Sequence, residues 1–107
     1  MEKYYEYLDQ RSALNKINHR HGVDLYLEPL IDHIATITKS GEMLTVGDLL
    51  RESQFGSQAT IHARLGLLVE KCLIDRKTIS EDSRAKSLTL GKEGKARAKA
   101  IHRLMSV

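Results

Sequence analysis

The chain has 107 residues, 41% of them hydrophobic and 29% charged, which suits a single soluble domain and is too few for two. It has no Trp, one Phe and one Cys, so its core must be aliphatic and no internal disulfide can form. The formal charge of +3 is uneven: residues 1–54 hold 6 Lys/Arg against 9 Asp/Glu and residues 55–107 hold 11 against 5, so the C-terminal half suits a polyanionic partner.

No apolar run approaches the roughly 20 residues that span a bilayer. The charged, aromatic opening MEKYYEYLD is unlike a signal peptide. A cytoplasmic protein with no membrane contact is expected. The sequence offers no nucleophile–base pair, phosphate-cradling loop or paired carboxylates, so neither an enzyme nor a cofactor is expected.

Residues 2–20 read as a helix. Tyr4, Tyr7 or Leu8, Leu14 and Ile17 keep helical spacing, and Gly22 suits a C-terminal stop. Aromatic residues this near a terminus need cover, and a second subunit is one source of it. His19 and His21 sit in the connection that follows; two His at i, i+2 without a Cys or carboxylate pair do not make a metal site. A helix from Glu28 to Lys39 comes next, with Pro29 in its first turn and Leu30, Ile31, Ile34, Ala35 and Ile37 forming a core-facing side. Ser40-Gly41 ends it.

Met43-Leu44 forms a short extended piece. Thr45 and Asp48 then have capping-box spacing and start a short helix from Val46 to about Ser53 that buries Val46, Leu49 and Leu50. Gln54-Phe55-Gly56 makes a tight turn, with Gly56 free to take a positive φ. A longer helix opens at Ser57, an N-cap residue. Ile61, Leu65, Leu68 and Cys72 recur along one stripe of it, which would bury the lone thiol and leave it inert. Its other side carries Gln58, Ala59, Thr60, His62, Ala63 and Gly66, a smooth and weakly charged surface. Short helix, Gly-containing turn and longer helix make a helix-turn-helix pattern.

After Cys72 the period changes. Residues 73–79 and 85–90 are rich in β-formers and partly alternate around the turn cluster 80–83, which reads as a hairpin carrying Arg76, Lys77, Arg84 and Lys86. A basic helix from Lys92 to Met105 follows Gly91, with Ala96, Ala100, Ile101, Leu104 and Met105 as its apolar residues. The expected class is mainly α with a small β-hairpin (α+β), in the order helix, helix, short strand, helix, helix, hairpin, helix.

This ordered set, from Leu44 to Gly94, resembles the MarR-type winged helix-turn-helix transcription regulators. Leu44-Thr45 and Leu49-Leu50 resemble the start of that family's helix-turn-helix. Ser57 to Leu68 resembles its recognition helix, and Cys72-Leu73-Ile74 stands where the family usually has Gly-Leu-Val or Gly-Leu-Ile. Asp82-Ser83-Arg84 is similar to its Asp-x-Arg wing motif, and Leu90 with Gly94 to its Leu-Thr-x-x-Gly. Gly91 departs from the usual Thr cap, and Ala63 stands where a basic residue often sits.

The resemblance implies a DNA-binding regulator, with residues 1–22 as an N-terminal helical arm that dimerises and 23–107 as the winged-helix domain. Helix 57–71 would enter the major groove and wing 76–90 would flank it. Ser57, Gln58, Thr60 and His62 would face base edges or nearby backbone; amide and hydroxyl side chains can read those edges. Arg64, on the flank, suits a phosphate contact, as do Lys77 and Lys86. Arg84 would reach the minor groove from the wing tip, oriented by Asp82. The partners implied are double-stranded DNA and a second copy of the chain, with no effector named. A protein–protein adaptor built on the same winged helix is the alternative, favoured by the low charge of the recognition face.

Overall fold

The structure, a computed structural model, describes residues 1–79 and 85–106. Its elements are α1 Glu2–His21, α2 Glu28–Thr38, α3 Val46–Leu50, a 3₁₀ turn Ser53–Phe55, α4 Gln58–Glu70, β1 Ile74–Thr78, β2 Lys86–Leu90 and α5 Lys92–Met105. This is the winged helix-turn-helix expected from the motifs. None of the described helices is long and apolar enough to cross a membrane.

The core sits where α2, α4 and the hairpin meet. Leu30, Ile31 and Ile34 of α2 pack with Leu49 of α3, with Ile61, Leu65 and Leu68 of α4, and with Leu73, Ile74 and Leu88 of the hairpin, all at or below 1% exposure. Each such side chain contributes about 1.5–3 kcal/mol by leaving water, so the aliphatic stripes, and not the few aromatics, hold the domain. β1 and β2 pair antiparallel from Ile74 opposite Leu90 to Thr78 opposite Lys86. The extended piece expected at Met43-Leu44 shrinks to one bridge, Thr45 to Ser87, backed by the Leu88 amide donating to the Leu44 carbonyl at 2.8 Å.

Gly22 ends α1 with φ 72°, in the left-handed region that an L side chain seldom adopts. α1 then runs antiparallel along α5. His21 lies against Glu93, with Nδ1 to Oε2 at 3.1 Å, and Asn18 against Arg97. With 20 residues against 14, α1 outruns α5, so among the described residues its first turns stand clear of the other elements. Tyr4, Tyr5 and Tyr7 are each more than half exposed there, and the molecule measures 54 × 25 × 23 Å.

α3 starts on the capping box read from the sequence. The Thr45 hydroxyl accepts from the Asp48 amide at 3.0 Å, and the Asp48 carboxylate accepts from the Thr45 amide at 3.0 Å. The helix stops at Leu50, three residues before the expected end, and the chain tightens into the 3₁₀ turn before Gly56 at φ 112°. The Thr45 amide, then the Thr45 side chain and Arg51, hold the Asp48 carboxyl below the ordinary carboxylate range. A depressed folded value means that this stabilisation is complete above the ordinary 3.8 and is lost as pH falls through the folded value. Thr45→Ala should lower stability by about 1 kcal/mol in urea denaturation at neutral pH. The gap between the protein and its Asp48→Asn variant should close as pH drops below 3.8; a gap of constant size would show that the carboxylate charge is not what the box uses.

Candidate nucleic-acid interface

α4 begins where Ser57, in extended conformation, accepts from the Thr60 amide at 3.2 Å. The Ser57 hydroxyl also donates to the Thr60 hydroxyl at 3.0 Å, so both side chains serve the cap first. Ser57 keeps one lone pair and Thr60 keeps its proton free to donate. Ile61, Leu65 and Leu68 face inward with no exposure. Outward lie Ala59, His62, Ala63, Gly66, Leu67 and Glu70, with exposed Gln58 at the first turn. The expected smooth face is therefore present, and Leu67, 44% exposed, gives it an apolar flank. It carries no Lys or Arg. Gly66 has nothing within 4 Å of where a Cβ would stand, so it leaves this surface low without serving any internal contact.

Arg64 occupies the flank, partly buried. Its Nη1 donates to the Phe55 carbonyl at 3.4 Å and its Cζ stands 5.0 Å from the centre of the Tyr26 ring. Sequence reasoning missed this pairing, because Tyr26 and Arg64 are linked by no periodicity.

The stripe does not continue to Cys72. α4 ends at Glu70, and Cys72 lies beyond it at φ 60° with its thiol exposed, which corrects the expectation of a buried sulfur. The cause is the helix stop: the Leu73 amide returns to the Leu68 carbonyl at 2.9 Å and the Cys72 amide to Val69 at 3.0 Å, a closure that needs a left-handed residue between. The Cys72 carbonyl then accepts from the Glu93 amide at 2.9 Å, and the Leu73 carbonyl from the Gly91 amide at 2.9 Å. α5 is thus capped by backbone and has no side-chain cap. A Cβ at Gly91 would overlap the Cys72 oxygen, so the residue that departs from the usual Thr is required by the close approach that replaces the Thr cap.

The buried and half-buried side of α5 carries Gly94, Arg97, Ile101 and Leu104, while Ala96, expected on its apolar side, is exposed. Arg97 is 4% exposed. It donates from Nε to Asn18 Oδ1 at 2.7 Å and from Nη1 to Asp32 Oδ1 at 3.0 Å, and Asn18 donates in turn to Glu28. This network ties α1, α2 and α5 together. Nothing in the sequence marks it, since Arg97 is one of several cations on a basic helix.

On the hairpin, Arg76 and Lys77 are exposed, and Lys86 donates to the Thr78 hydroxyl at 2.7 Å. Arg84 and Asp82 lie outside the described residues. Among those that are described, no three His, Cys, Asp or Glu side chains converge to hold a metal.

No family model matches the chain, and no curated protein matches it. Solved structures do. S. aureus MepR in complex with DNA overlays with a TM-score of 0.72 at 15% identity, covering 96% of this chain and 81% of that one. The fold is that of MepR. A point mutant of S. aureus MepR bound to an oligodeoxyribonucleotide overlays at 0.70 with 17% identity, covering 99% and 77%. A second MepR point mutant, from a multidrug-resistant S. aureus clinical isolate, overlays at 0.66 with 16% identity, covering 99% and 74%. MepR is a MarR-family regulator, so the resemblance read from the motifs is the likeness that the backbone carries. The overlay with MepR extends through α1, which the motif resemblance did not reach.

Proposed function

We propose that the chain is a sequence-specific double-stranded DNA-binding transcription regulator that works as a homodimer in the cytoplasm. The observation that carries this reading is the near full-length overlay on MepR, whose solved structures include complexes with DNA. The exposed outer face of α4 supports it chemically. Gln58 offers an amide suited to adenine, Thr60 a free hydroxyl proton and His62 an imidazole, while Ala59, Ala63 and Gly66 permit close approach to a groove. Affinity comes mainly from phosphate contacts by Lys77 and Lys86 and from the wing residue Arg84 in the flanking minor groove. The overhanging turns of α1, with their exposed tyrosines, suit cover by a second copy. In this reading residues 1–22 form the dimerising arm and 23–107 the DNA-binding body.

Selection from a random double-stranded DNA pool should return two related half-sites about one helical turn, roughly 10 base pairs, apart. In salt titrations on the selected site, Lys77→Ala and Lys86→Ala should each lower the log–log slope by about 0.9. The second reading, a protein–protein adaptor, is favoured by exposed Leu67 and by the lack of a cation on the outer face of α4. Absence of any enrichment at low salt would turn the assignment to the adaptor.

A further inference from the structure

We infer that Tyr26 and Arg64 form a brace that fixes how α4 is held, and that Arg64 serves DNA recognition as a positioning residue and not as a phosphate contact. The inference rests on the DNA-binding reading above and adds a role that the sequence did not suggest.

The brace is built from three elements. In the loop before α2, Asp24 Oδ1 accepts from the Tyr26 and Leu27 amides, both at 2.9 Å, and so fixes the backbone that presents the Tyr26 ring. The Arg64 guanidinium lies over that ring with Cζ 5.0 Å from its centre. A guanidinium is planar and weakly hydrated, so an aromatic face suits it. Its Nη1 reaches back 9 residues to the carbonyl of Phe55, the last residue of the 3₁₀ turn. Carbonyls at a helix end have no partner within the helix, and Arg64 supplies one. The Phe55 ring in turn packs at 4.9 Å on His33 of α2. The turn that sets the direction of α4 is thus held from α2 through Phe55 and from the preceding loop through Arg64. Arg64 projects from the flank of α4 away from Ala59 and Gly66, so its charge is spent on the frame and not on the outer face.

Two measurements on Tyr26→Ala, Tyr26→Phe and Arg64→Gln test this. The first is amide hydrogen exchange of the free protein over residues 53–60. Tyr26→Ala and Arg64→Gln should speed exchange there by about threefold, the size of an exposed cation–π contact, while Tyr26→Phe keeps the ring and matches the parent. The second is a salt titration of DNA binding. Both disruptive variants should weaken binding about threefold through the smaller fraction of correctly held α4, with the salt slope unchanged. A phosphate contact would instead lower the slope by about 0.9 in Arg64→Gln and leave Tyr26→Ala silent, and that result would overturn the brace. Unchanged exchange over 53–60 would overturn it as well. If the parent protein binds no DNA, the functional reading falls, and exchange alone decides whether the brace exists.

Discussion

Replacing Gly94 with alanine should destabilise the domain by about 3 kcal/mol or more, a large part of the roughly 5–15 kcal/mol that a domain of this size has. Helix propensity alone predicts the opposite sign, since alanine in place of glycine within a helix gains about 1 kcal/mol. The packing decides. Gly94 is buried at the start of α5, where an added Cβ would overlap the Leu73 carbonyl oxygen and press on Leu90. The oxygen cannot retreat, because it already accepts from the Gly91 amide and belongs to the stop that closes α4. Gly66→Ala is the internal control. It is the same substitution in a helix with open space around it, and it should stabilise by up to about 1 kcal/mol. Urea midpoints of the two variants should move in opposite directions. Movement in the same direction would mean that α5 can slide off the Leu73 carbonyl.

Arg97→Met should cost about 3 kcal/mol. Methionine keeps most of the length and apolar contact but supplies no donor. The Asn18 side-chain oxygen loses its buried partner, and the Asn18–Glu28 contact loses the cation beside it. Asp32 has a side chain 58% exposed and can turn to water, which keeps the cost from rising further. Because Arg97 joins α1 to α2 and α5, the loss should appear first as faster hydrogen exchange in the second half of α1. Adding Asn18→Leu should return part of the stability, since a polar group left alone is worse than an apolar pair. A shift below about 0.5 kcal/mol, typical of a surface site, would show that the network does not hold α1.

These two positions also show which features could be read in the sequence. The stripe Ile61, Leu65, Leu68 was legible because burial imposes a 3.6-residue period on a helix, and the hairpin because alternation marks a strand. The Thr45–Asp48 box was legible because its partners are three residues apart. Cys72 was not: it falls in step with the stripe, and the period says nothing about where the helix stops. The stop depends on a left-handed residue and on α5 arriving 20 residues later. Gly94 matched a motif, but its reason, a carbonyl oxygen from another element, is tertiary. Arg97 looked like any other cation of α5, and the arginine of the Tyr26 brace looked like a phosphate contact. Of the expected site, Gln58 and His62 lie exposed on or beside the outer face of α4, and Ser57 and Thr60 are partly used by its cap.

Cys72 has one more consequence. The Cys72–Leu73 peptide closes the last turn of α4 through its N–H and accepts the Glu93 amide of α5 at its carbonyl, and α5 is in turn fastened along α1 by Arg97. Among the described residues, α4 is therefore joined to α1 through α5 by direct contacts. If two chains pair through their arms, the distance between their α4 helices is a dimension of the protein, like the span of a caliper. On the proposed DNA-binding reading, a site with half-site spacing wrong by a few base pairs would then have to bend, twist or be refused, because the described contacts tie α4 to α1.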